Sequence, residues 1–309
     1  MAPNSRILIC RHSQAEHNVD LDYSIPDAPL TSLGKKQSAT LPSFTAAEQG
    51  QVDVVLSSGL KRTLQSTKLG WGPAIERLGG LKKVIVLPQL QECNDFPCDT
   101  GSPREALERD PEFSGFDLSN LTPDWTSKQG FWAPDPQSIA LRAQWVRQFI
   151  RSRPEKTILL VGHGDIIRQI TATASGGPST YQWKNAEVRA YTFDPATAGA
   201  QECFLRPEGE VAVAGGYAPT STEADIVQGP GAAAAAGGPS LPSLGGGDDF
   251  SFGDVVNDAG TRALAEMEER VKTKASAVQS QTNELQELEA RLAAAERKAA
   301  ELEARGVRH

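Results

Sequence analysis

The sequence predicts an α/β sandwich built on a largely parallel sheet, and three observations lead there. Short apolar runs recur along the first two-thirds of the 309-residue chain, stretches of helical periodicity separate them, and two of the runs end in histidine. Short apolar runs bounded by polar residues read as buried strands, and strands that alternate with helices build a parallel sheet.

Taken in order, residues 6–10 (RILIC) give the first strand. Thr31 caps a helix that continues through Lys36, Gln37 and Leu41, with Gly34 as its weak point. Residues 52–56 (VDVVL) form a strand, and residues 60–69 carry apolar side chains three and four apart, as a helix does. Residues 84–87 (VIVL) and 157–161 (TILLV) are further strands. Between them Ile139, Leu141, Trp145, Val146, Phe149 and Ile150 repeat with helical period. Residues 188–193 and 202–205 close the sheet, so the core domain is expected over residues 1–207. Residues 96–136 break the rhythm with many prolines and with Phe113, Phe116, Trp125, Phe131 and Trp132. They predict a long irregular insertion, either a lid over one end of the sheet or a plain surface loop.

Composition changes after the core. Residues 208–257 are rich in Gly, Ala and Pro and predict a flexible linker. Residues 258–306 predict a coiled-coil helix. Leu264, Val271, Val278, Leu285, Leu292 and Ala299 fall at position a, and Met267, Lys274, Gln281, Leu288, Ala295 and Leu302 fall at position d. A seam over residues 261–305 suits a homodimer or a partner helix, with a single solvated helix as the alternative. The linker shares no motif with the core, so catalysis is expected to be complete within residues 1–207.

The net charge of -8 and the pI near 5.2 argue against nonspecific nucleic-acid binding, which needs surplus Lys and Arg. Cys10, Cys93, Cys98 and Cys203 lack metal-ligand spacing and read as free thiols of a reducing compartment, the cytoplasm or nucleus. No stretch reaches the ~18 apolar residues of a membrane span.

Chemistry concentrates at the strand ends. In open α/β sheets ligands bind at the carboxyl ends of the strands. The first strand ends in Arg11-His12 and the strand at 157–161 runs into Gly162-His163-Gly164. The strand at 52–56 leads through Ser57-Ser58 into a helix carrying Arg62. Arg11, Arg62, Asn18 and two imidazoles make a phosphate pocket without metal or cofactor. Arginine pairs with phosphate through charge-assisted hydrogen bonds, and a neutral imidazole, kept so by nearby cations, is a competent nucleophile.

These residues resemble four ordered motifs of the histidine phosphatase superfamily, in its phosphoglycerate-mutase-like branch and most closely its fungal members. Arg11-His12-Ser13-Gln14-Ala15-Glu16-His17-Asn18 is similar to Arg-His-Gly-x-x-x-x-Asn, and Pro29-Leu30-Thr31-Ser32-Leu33-Gly34-Lys35-Lys36-Gln37 to Pro-Leu-Thr-x-x-Gly-x-x-Gln. Residues 57–67 resemble Ser-x-Leu-x-Arg-x-x-Gln-Thr, and Gly162-His163-Gly164 the closing Gly-His-Gly. The resemblance implies a three-layer sandwich with a mostly parallel central sheet. It implies His12 as the nucleophile that becomes phosphohistidine, with Arg11, Arg62, His163 and Asn18 on the phosphoryl oxygens. Leu90-Gln91-Glu92 resembles the family's Leu-x-Glu, which implies Glu92 as the proton donor, with Asp95, Asp99 and Asp165 as alternatives.

Two departures matter. Ser13 stands where the family has glycine, and Cys93-Asn94-Asp95 replaces the Arg-x-Tyr element by which the mutases grip their substrate. The expectation is therefore a metal-independent phosphatase of small phosphate monoesters. A mutase and a phospholigand-binding module with a coiled-coil scaffold are the other two readings.

Overall fold

The apolar runs pair into one six-stranded sheet, in the order β3-β2-β4-β1-β5-β6. The computed structural model describes residues 4–173 and 177–223. The expected coiled coil and the expected linker from residue 224 onward lie outside the described residues. The strands are β1 (Arg6–Arg11), β2 (Val54–Ser57), β3 (Ile85–Val86), β4 (Thr157–Gly162), β5 (Glu187–Phe193) and β6 (Leu205–Val213). β3, β2, β4 and β1 run parallel, and β5 and β6 add an antiparallel edge.

Both faces of the parallel part of the sheet are covered, which is why β1, β2 and β4 read as short apolar runs. Leu8 and Cys10 of β1 and Leu159 and Val161 of β4 pack on one side, with Leu60, Leu64 and Trp71. Ile7, Ile9, Ile158 and Leu160 pack on the other, with Ile139, Val146, Ile150, Ile166 and Ile170. The first layer holds α1 (Ser32–Phe44), α2 (Ala46–Gln51), α3 (Lys61–Gly70) and α4 (Gly72–Leu78); the second holds α6 (Pro136–Ser152) and α7 (Gly164–Ile170). Each fully buried aliphatic side chain contributes about 1.5–3 kcal/mol relative to an exposed one.

Residues 96–136 are not a plain surface loop. They carry the short helix α5 (Arg104–Arg109), and Phe113, Phe116, Trp125 and Trp132 are buried in the first-layer core. The expected boundary at residue 207 falls inside β6, which runs on to Val213, and the chain then packs on as far as Glu223. The closing strand expected at residues 202–205 thus lies at Leu205–Val213; its extent was hidden because only its Leu205 and Ala212 are buried. All four cysteines are free and buried. No helix among the described residues is long and apolar enough to cross a membrane.

Gly34 marks where the fold begins to shape the site. Thr31 caps α1 by accepting from the Gly34 amide, and its own amide donates to the Gln14 carbonyl at 3.1 Å. A Cβ on Gly34 would lie 1.9 Å from that same carbonyl oxygen. The glycine thus lets α1 close on the loop that follows His12. Gly34→Ala is expected to cost about 1–3 kcal/mol by overpacking, read as a lower urea-unfolding midpoint; an unchanged midpoint would show that helix and loop part without penalty.

Candidate active site

Strand register brings the two histidines together. Arg11 lies opposite Gly162 in the β1–β4 pair, and the His12 amide donates to the Gly162 carbonyl at 3.0 Å. His12 and His163 therefore leave adjacent carboxyl ends with their ring centroids 5.2 Å apart. β2 ends beside them, where the Ser58 hydroxyl lies 2.9 Å from His163 Nε2. Arg62, in the first turn of α3, donates from Nε to His163 Nδ1 at 3.1 Å. Its Nη1 donates to the Cys98 carbonyl and its Nη2 to Asp99 Oδ1, the latter at 2.9 Å.

These contacts assign tautomers. Arg62 is always a donor, so His163 Nδ1 accepts and its proton sits on Nε2. His12 Nδ1 lies 2.7 Å from the Ser13 carbonyl, an acceptor only, so Nδ1 carries the proton and Nε2 keeps its lone pair. His12, Arg11, Arg62, His163 and Glu92 are each no more than 4% exposed. Burial first, then Arg62 and Arg11, hold His12 well below the ordinary imidazole range. Burial and Arg62 do the same to His163.

Ser13 keeps the turn after His12 without stranding its hydroxyl. Its Oγ pairs with Ser38 Oγ at 2.6 Å, and its amide donates to Ser66 Oγ at 3.0 Å. Asn18 is placed one step back from the two imidazoles. Its Oδ1 accepts from the Ala15 amide and its Nδ2 meets His17 Nε2, each at 3.0 Å. His17 itself is a third imidazole of the site, with its ring centroid 6.0 Å from that of His12. Nothing in the sequence pattern singled it out.

Glu92 sits at the amino end of α7. Its Oε1 accepts from the amides of Cys93 and Ile166 at 3.0 and 2.9 Å, and its Oε2 from that of Asp165 at 3.2 Å. Burial, reinforced by Asp165 and Asp99, pushes its carboxyl up to about 7 against the opposing pull of Arg62. Of the alternative acids, Asp99 is ion-paired with Arg62 and Asp165 with Arg168, so both are already committed. Two further cations hold the main chain at Glu92. Arg142 of α6, wholly buried, donates to the carbonyls of Gln91 and Glu92, and Lys128 of the insertion donates to the Glu92 carbonyl. Arg142 had a visible signal, a charge on the inner face of an apolar helix. Among the described residues no group of three or more His, Cys, Asp or Glu is placed to hold a metal ion.

The model of the histidine phosphatase superfamily (branch 1) matches residues 7–202. A Schizosaccharomyces pombe protein named as a probable phosphatase is 31% identical over 166 residues, 52% of this chain and 75% of its own. Among solved structures, an Entamoeba histolytica phosphoserine phosphatase in complex with 3-phosphoglyceric acid is 19% identical, with a TM-score of 0.41 over 68% of this chain and 98% of that one. A mycobacterial glucosyl-3-phosphoglycerate phosphatase is 20% identical, with a TM-score of 0.40 over 67% and 99%. Likenesses at those scores carry no function across.

In 15N NMR spectra, His12 is expected to remain neutral and Nδ1-protonated from pH 8 down to about pH 5, where an exposed imidazole is charged; titration near the ordinary value would contradict the assignment.

Proposed function

The chain belongs to the histidine phosphatase superfamily, branch 1, and from that premise we propose that it hydrolyses phosphate monoesters of small molecules through a phosphohistidine at His12. The observation that carries this reading is the pairing of a neutral imidazole nucleophile with a carboxyl pushed up to about 7, both buried in one cluster with Arg11, Arg62 and His163.

The steps balance as follows. His12 Nε2 attacks phosphorus while the ester P–O bond breaks, and Glu92 gives its proton to the departing alkoxide. Water then attacks phosphorus, the P–N bond breaks, and the Glu92 carboxylate takes the proton from the water. The guanidinium groups of Arg11 and Arg62 stabilise the phosphoryl oxygens, joined by the Nε2–H of His163 as it exchanges Ser58 Oγ for the substrate, with Asn18 assisting through His17. These side chains supply the positive charge that a metal would otherwise bring. Cys93 and Asp165, whose amides hold Glu92, also line a cavity of about 500 Å³. We assign that cavity to the leaving group. His12 is closed over in this conformation, so substrate entry moves part of the cover.

Hydrolysis is favoured over phosphoryl return to substrate on two grounds. The relative from fission yeast is named as a phosphatase, and Cys93-Asn94-Asp95 stands in place of the mutase grip.

His12→Ala is expected to abolish turnover of p-nitrophenyl phosphate measured in EDTA, with the wild type unaffected by the chelator. Turnover that survives the substitution, or that needs added magnesium, would overturn the mechanism. Glu92 gives a second test, by pH. Its acid form is present below about 7 and lost above. With an alkyl phosphate, kcat/KM is expected to fall about tenfold per pH unit above that point, and to stay flat with p-nitrophenol as leaving group. Glu92→Gln should slow the alkyl ester far more than the aryl one; equal slowing would remove Glu92 from the acid role.

A further inference from the structure

We propose that residues 217–223, which lie beyond the family-matched residues 7–202, complete the phosphate pocket, and that Ser221 is a positioning residue for Arg62. The inference rests on the phosphatase reading above.

Both phosphate-binding arginines are braced by this segment. The Nη1 of Arg11 donates to two main-chain carbonyls, that of Trp183 and, at 2.7 Å, that of Ala218. Its two hydrogens are thereby spent. The Nε–Nη2 edge remains for two phosphoryl oxygens, and Nε is buried without a partner among the described residues. Ala218 thus helps to turn the useful edge of the guanidinium toward the ligand.

The brace on Arg62 is indirect. Asp99 Oδ1 accepts from Arg62 Nη2, and its other oxygen, Oδ2, accepts from the Ser221 hydroxyl at 2.8 Å. Asn94 Nδ2 in turn donates to Ser221 Oγ at 2.6 Å. The direction of this chain is settled, since an amide NH2 only donates and a carboxylate only accepts. Asp99 is therefore held at both oxygens, and the fork of Arg62 is fixed by a carboxylate that cannot swing.

The segment is anchored, not merely laid against the surface. Glu223 pairs with Arg168 of α7 at 2.5 Å. The Thr220 amide donates to Glu223 Oε2, and the Glu223 amide donates to Thr220 Oγ1. Thr220 and Ser221 are buried, and a Cβ on Gly164, next to His163, would lie 2.3 Å from Thr220 Cγ2. The turn that presents His163 is glycine where this segment crosses it. Each contact points to the same conclusion: catalysis requires chain beyond residue 207.

The test compares full-length wild type, Ser221→Ala, Ser221→Thr and His12→Ala on p-nitrophenyl phosphate. Ser221→Ala is expected to lower kcat roughly tenfold through misalignment of the Arg62 fork. KM should move less than about threefold, because the charge that attracts the ground-state phosphate is still present. Ser221→Thr, which keeps the hydroxyl, should restore kcat. If Ser221→Ala fails to fold, Ser221→Cys fills the same space with a weak donor and should show the same kcat loss. An unchanged kcat overturns the proposal, and so does a rise in kcat/KM, which would make the segment a brake. Wild type without His12-dependent turnover would instead remove the phosphatase reading, and this proposal with it.

Discussion

The site depends on one buried guanidinium. Arg62 reaches from the first turn of α3 across the carboxyl ends of the strands to His163, the Cys98 carbonyl and Asp99. Leaving a cation so deep without such partners would be prohibitive, so the surrounding loops must come to it. In doing so they build the pocket. The Nε bond fixes the tautomer of His163, and the Asp99 pair draws in residues 96–99. The positive charge helps to keep His12 neutral. Removal of Asp99, the one counter-charge among those partners, would leave the buried cation uncompensated.

The same burial acts on Glu92 and His12 in opposite directions, and in the proposed reaction that is its chemical use. Loss of water penalises whichever form is charged, so it lowers the histidine and raises the carboxyl. His12 is left with a lone pair and Glu92 with a carboxyl able to hold a proton up to about pH 7, the combination that the proposed displacement of a poor leaving group requires. Neither state needs a dedicated partner. Arg62 and Arg11 sharpen the first shift, and Asp165 and Asp99 sharpen the second.

Much of this was legible in the sequence. β1, β2 and β4 were legible because burial on both faces leaves an apolar run at the centre of each, with polar residues only at the ends. The histidines that follow β1 and β4 were legible from their place at the ends of those two runs. What escaped depends on three-dimensional placement. β6 is exposed from Arg206 to Glu208 and interrupted by Pro207 and Gly209, and its apolar residues 211–213 come only after that break, so the core appeared to end too early. His17 looks like one more polar residue until the loop folds it against His12. The resemblance pointed to Glu92 with Asp95, Asp99 and Asp165 as alternatives, but spacing could not show that the Glu92 carboxyl is the raised one, because burial and neighbours decide that. Arg142 and the segment 217–223 act on the site only through main-chain carbonyls or through another side chain. A motif records no such contact.

The claim on which the rest stands is that His12 Nε2 forms a bond to phosphorus. It is tested most directly by mixing the full-length protein with p-nitrophenyl phosphate, quenching in alkali within the first turnover, and mapping the digest by mass spectrometry. The account predicts one phosphopeptide, modified at His12, stable in base and hydrolysed in acid as a phosphoramidate is. An acid-stable phosphate on Ser13 or any other residue, or turnover with no phosphopeptide at all, would contradict it.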